Sequence, residues 1–183
     1  MNDTPELDAL AAYAREGDVG PNEDEKQLML ESARVFRVFR TLPLAEREIG
    51  RKHVLIMSGG MREYAARADR EGQLRLTDLD DLERYCYFVA GTVGELQTGQ
   101  FKLEVGELTE EQDMEIEAHA VAFGLGLQLV NIVKDGATDF ERGDCFLPVS
   151  LARAHGIELT DILAAKKRPE ALSVVRAVTE RAR

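Results

Sequence analysis

Four polar residues, Gln128, Asn131, Asp135 and Asp139, recur at intervals of three and four residues along the stretch QLVNIVKDGATDF. They interrupt an apolar run that begins at AVAFGLGL, so the spacing predicts one polar stripe on a helix buried on most sides. Polar groups in such a place need partners, and two carboxylates a turn apart repel unless something positive lies between them. A cavity holding Mg²⁺ and phosphate oxygens satisfies all four, because Mg²⁺ is commonly held by one or two carboxylates together with substrate phosphates. Spacing alone leaves an alternative open, in which Asp135 and Asp139 lie just past the helix end in a wet loop.

A second candidate helix is LERYCYFVAGTVGELQTGQF. It sets Cys86, Ala90, Gly94 and Thr98 on one stripe of small residues, which permits close approach of another helix. Gly91 and Gly94 each cost roughly 1 kcal/mol relative to alanine in a helix interior, so a contact is expected to compensate them. Tyr85, Val89, Val93 and Leu96 form another stripe, an aromatic hydroxyl followed by an aliphatic wall. That pattern suits an apolar ligand with a polar head, and it equally suits a packed core.

The elements that must position these residues are helices. Helical periodicity covers roughly 5–16, 24–41, 44–69, 78–102, 110–135 and a looser set from 148 onward. Thr77 is the expected N-cap of the tyrosine-bearing helix, and Thr109 with Gln112 fits a capping box. Pro43 and Pro169 suit the first turns of two helices. No alternating strand, internal repeat or interdomain linker is visible, so the expectation is an all-α fold in one domain spanning 1–183.

Composition narrows the partners. The 183 residues are 44% hydrophobic and 31% charged, the signature of a globular chain. A formal net charge of -11 lacks the basic footprint that nucleic acid requires. The N-terminus MNDTPELDAL has no secretory pattern and no run of eighteen apolar residues occurs, so the expected location is cytoplasmic, with peripheral contact to a membrane left open. Cys86 and Cys145 read as reduced thiols, and His53, His119 and His155 are too dispersed for a zinc motif.

Two of these stretches carry a resemblance. YCYFVAGTVG is similar to the Y-C-x-x-V-A-G-x-V-G helix of the squalene/phytoene synthase family, the head-to-head trans-prenyltransferases. NIVKDGATD followed by RGDCFLP resembles that family's second aspartate-rich motif, N-I-x-(R/K)-D-x-x-x-D, with its R-G-x-x-(Y/F)-L-P loop. The resemblance implies an isoprenoid-synthase-type helical bundle around a central cavity. In it, two farnesyl or geranylgeranyl diphosphates are joined in squalene, dehydrosqualene or phytoene biosynthesis.

It further implies Asp135 and Asp139 as Mg²⁺ ligands, with Gln128, Asn131, Lys134 and Arg142 as polar groups near the diphosphate. Tyr85 is implied at the carbocation steps, and Val89, Ala90 and Val93 along a prenyl tunnel. NADPH is implied only if the product is squalene. Lys134 stands where many members carry Arg, which keeps the charge and loses the bidentate fork, and Thr138 replaces a frequent acid.

Set against the family plan, the chain is expected to be an internal part of the domain, truncated at both ends. No upstream D-x-x-x-D helix is found, and VVRAVTERAR precedes the final helices. Two functional outcomes follow: a synthase that works when a complementing chain supplies the missing helices, or an inactive remnant that binds a prenyl chain without turning it over. Either way the isolated chain is expected to be nearly inactive and prone to association.

Overall fold

The computed structural model describes residues 5–16, 23–68 and 73–182, and these are helical almost throughout. Among them there is no strand; one isolated parallel bridge pairs Arg75 with Cys145. The all-α expectation holds. Contacts divide the chain into two compact units, Met1–Glu48 and Ile49–Arg183.

The first unit holds α1 (Pro5–Glu16), α2 (Glu23–Leu30), α3 (Ser32–Thr41) and the first turn of α4 (Leu44–Ala66). The single helix expected over 24–41 is broken at Glu31, where φ is -88 and ψ opens to 4. α3 ends because Pro43 disfavours helical backbone in the residue before it; Leu42 is extended, with φ -65 and ψ 152.

The second unit contains the rest of α4, then α5 (Leu79–Cys86), a π-helical segment (Tyr87–Gly91) and α6 (Thr92–Val105). These are followed by α7 (Glu110–Glu141), α8 (Val149–Ala154) and α9 (Arg168–Arg181). Asp78, and not Thr77, is the N-cap of α5: its side chain accepts from the Asp81 N–H. Thr77 instead donates its backbone N–H to the Asp81 carboxylate at 2.9 Å. That carboxylate also takes both arms of the Arg67 guanidinium, at 2.6 and 2.5 Å, and the Tyr64 hydroxyl at 2.9 Å. The pairing with Arg67 comes first in holding Asp81 far below the usual carboxylate range. This hub ties α4 to the start of α5.

The expected capping box of α7 is present, with Thr109 Oγ1 accepting from Gln112 N and Gln112 Oε1 accepting from Thr109 N. α7 continues past the expected end at 135, so Asp135 and Asp139 both belong to the helix. It is not buried on most sides. Ala120, Gly124, Leu129 and Ile132 are buried, whereas Phe123, Leu127 and Val130 are more than half exposed. The reason is geometric: among the described residues, α6, the π segment, α5 and α9 pack on the arc that is buried. By length and composition α7 is long and apolar enough to cross a membrane, although one arc of it packs on neighbouring helices.

The tyrosine-bearing helix meets α7 backbone to backbone. A Cβ at Gly94 would run into the carbonyl of Ala120, and one at Gly124 into the carbonyl of Ala90. Gly94 is thus compensated as expected. Behind this crossing lies the core of the second unit, including Tyr64, Leu82, Leu129, Leu147 and Val174. Gly124→Ala should therefore destabilise the fold by about 1–3 kcal/mol through overpacking. Gly59→Ala, on α4 with nothing within 4 Å of its added methyl, should stabilise by about 0.5–1 kcal/mol. Urea unfolding of the two variants checks both signs.

Candidate functional site

The polar stripe of α7 opens onto a cleft of about 440 Å³ lined by Gln128, Asn131, Ile132, Lys134, Asp135, Asp139 and Phe146. Helical periodicity aligns Gln128, Asn131, Asp135 and Asp139, and Lys134, about 60° from Asn131 around the helix, also reaches this cleft. Lys134 Nζ lies 3.5 Å from Asp135 Oδ1, with both side chains substantially exposed, so the pair is a weak and movable one. Arg142 is the C-cap of α7; its backbone N–H bonds the carbonyls of Asp139 and Thr138, and its exposed side chain does not line the cleft.

Phe146 is brought to the cleft by pairing between remote segments. Besides the bridge from Arg75 to Cys145, Val149 N–H donates to Leu76 O at 2.9 Å and Ser150 N–H to Thr77 O at 3.0 Å. The chain after α7 is thereby laid along the approach to α5. Phe146 then stacks on Tyr85 with centroids 5.2 Å apart and planes 18° apart. Tyr64 meets the same Tyr85 ring edge-on at 5.2 Å.

Tyr85 is thus buried behind the cleft wall. Burial first, then the charges of Cys86, Asp144 and Asp139, push its phenol up to about 12. The influence of Asp139 links the tyrosine electrostatically to the carboxylate stripe. Cys86 and Cys145 are both free and buried.

Val89 packs on the core cluster, Ala90 contributes its carbonyl to the contact with Gly124, and Val93 is half-buried. None of the three lines the cleft. A second, mostly apolar cavity of about 570 Å³ lies between α7 and α9, and it shares Ile132, Asp139 and Phe146 with the first. Phe146 and Ile132 were not singled out from the sequence. The aromatic position within RGDCFLP was the available signal for Phe146.

Among the described residues, no group of three or more His, Cys, Asp or Glu side chains is placed to hold a metal. The donor set does fit an ion that brings further oxygens with it. Two carboxylates a helical turn apart, beside the amide oxygens of Gln128 and Asn131, suit Mg²⁺ completed by phosphate and water.

The squalene/phytoene synthase profile matches residues 4–183. The chain belongs to that family. Its relatives include a phytoene synthase of Thermus thermophilus, 41% identical over 98 residues that make up 54% of this chain and 31% of that protein. They also include the squalene synthase of Schizosaccharomyces pombe, 29% identical over 166 residues, 89% of this chain and 35% of that one. A 15-cis-phytoene synthase of Enterobacter agglomerans is 27% identical across 99% of this chain and 56% of its own length. The solved structure of TcSQS with the ligand BPH1237 superposes at a TM-score of 0.76 and 21% identity. It covers 97% of this chain and 51% of that one, which establishes the fold as that of squalene synthase. The chain spans between about a third and just over a half of the length of these relatives.

The buried hydroxyls and thiol yield a pH dependence. Tyr64 and Tyr85 rise from 10.0 to about 12 on folding, and Cys86 from 9.0 to about 12, chiefly through burial. Each group binds its proton more tightly when folded, so the stability it contributes is complete below about pH 9 and is lost as pH rises through about 12. The urea midpoint should therefore fall between pH 9 and pH 12. Tyr85→Phe, which keeps the stack on Phe146, should flatten part of that fall.

Proposed function

We propose that this chain carries the second-aspartate half of a head-to-head prenyl synthase site, acting on farnesyl or geranylgeranyl diphosphate. The observation that carries the reading is one cleft lined by Gln128, Asn131, Lys134, Asp135 and Asp139, whose Phe146 wall stacks on Tyr85. When bound, Mg²⁺ supplies charge neutralisation of the leaving diphosphate. Asp135 and Asp139 hold the ion by their carboxylates. Gln128 and Asn131 offer amide groups to phosphate oxygens, and Lys134 swings from Asp135 to add positive charge.

Tyr85 backs the aromatic wall: Phe146, stacked on it, is the ring that lines the cleft and faces developing positive charge. The Tyr85 phenol stays protonated through the neutral range, so it can donate a hydrogen bond but is a poor base until a neighbour changes. Phe146 and Ile132 keep water from the apolar side of the cleft.

A second reading uses the same two carboxylates for binding alone. In it, the chain binds a prenyl diphosphate through Asp135 and Asp139 and turns it over only when further ligands join them. Titration of the purified chain with farnesyl diphosphate, with and without Mg²⁺, tests the shared core of both readings. The expected result is saturable binding that needs Mg²⁺ and weakens at least about tenfold, or about 1.4 kcal/mol, in Asp135→Asn and in Asp139→Asn. Binding that ignores both carboxylates overturns the assignment. Squalene or phytoene formed by the isolated chain selects the first reading over the second.

A further inference from the structure

The chain is acidic as a whole, yet one helix is basic on one side and apolar on the other. Between Ser32 and Ala45 there are three arginines, Arg34, Arg37 and Arg40, and no aspartate or glutamate, in a protein of net charge -11. Spaced three apart on α3, the arginines occupy one arc of the helix, and all three are exposed. Arg34 has only a distant pairing, 4.0 Å from Glu31, with both side chains about half or more exposed.

Val35, Val38, Phe39 and Leu42 follow the i, i+3, i+4, i+7 pattern on the opposite arc. A helix in a globular unit normally buries that arc. Here Val35 is 51% and Val38 59% exposed, and Leu42 is exposed as well. Together with Glu31, Arg34 and Phe39 they line an open, nearly wholly apolar groove of about 510 Å³.

We infer that α3 docks on an anionic lipid surface, with Val35, Val38 and Leu42 entering the headgroup boundary and Arg34, Arg37 and Arg40 meeting lipid phosphates. Charge selects this occupant. An acidic protein is repelled by an anionic bilayer everywhere except where a local basic cluster faces it, and an amphipathic helix with arginine on its polar face and Val, Phe and Leu on the other is the form that lies in such an interface. A purely apolar partner would leave the arginine arc without a role. A basic protein partner would be repelled by it.

This surface shares no residue with the cleft on α7, so its test is independent of the diphosphate reading. The purified chain is sedimented with vesicles of phosphatidylcholine alone and of phosphatidylcholine mixed with phosphatidylglycerol, at low and high salt. The expected result is at least about tenfold stronger partition onto the mixed vesicles, reversed by salt. Arg34→Gln/Arg37→Gln/Arg40→Gln should remove the preference for anionic lipid. Val35→Ser/Val38→Ser should weaken binding to the same vesicles.

Both sets change exposed residues, and unchanged far-UV circular dichroism together with an unchanged urea midpoint shows that the rest of the molecule is intact. Equal partition onto the two vesicle types overturns the proposal, as does a triple arginine variant that binds as the parent does. A stable dimer that ignores vesicles and is dissolved by Val35→Ser/Val38→Ser also overturns it, and assigns the face to a second copy of the chain.

Discussion

Everything around the α7 cleft depends on two points where helix backbones touch with no side chain between them. At Gly94 against Ala120, and at Gly124 against Ala90, the tyrosine-bearing helix and α7 meet carbonyl to Cα. Contacts this close fix rotation as well as separation, because only one arc of each helix can face the other. Once that arc of α7 is assigned, periodicity leaves the direction of Gln128, Asn131, Asp135 and Asp139 no freedom. The polar stripe is aimed by small residues that never touch it.

A second constraint brings the aromatic wall to the carboxylates. The hydrogen bonds from Val149 and Ser150 to Leu76 and Thr77 lash the chain after α7 to the residues before α5. Asp81 then fixes the start of α5 to α4 through Arg67, Tyr64 and Thr77. The aromatic set of Tyr64, Tyr85 and Phe146 is the product of these two ties. Local stability and site geometry are here the same interactions, so loosening one loosens the other.

Much of this was legible in the sequence, and the rest was hidden for identifiable reasons. Thr109 and Gln112 announced the start of α7 because a capping box is a local device. Pro43 and Pro169 marked helix starts for the same kind of reason. The N-cap of α5 fell on Asp78 and not on its neighbour Thr77, since both types cap well and the Asp81 hub chooses between them. The exposure of Phe123, Leu127 and Val130 could not be read, because periodicity shows that a helix has an apolar face and not whether another element covers it. Phe146 was missed as a wall of the cleft because its place is set by pairing with residues far back in the chain.

The π segment has a consequence for how the family's tyrosine helix is phased. Thr92 N–H reaches back five residues to Tyr87 O, and the Thr92 hydroxyl bonds Phe88 O at 3.0 Å. Such a turn is one residue longer than the α-helical turn it replaces. The helix is therefore two α-helices on a common axis with their azimuths offset by about 100°. Tyr85 belongs to the first phase and Gly94 to the second. Removing one residue between them would leave an unbroken helix, still seated on Ala120, whose tyrosine no longer pointed at Phe146. The aromatic and the crossing point are thus set like two hands on separate dials, and the register of a single extra residue keeps them in step.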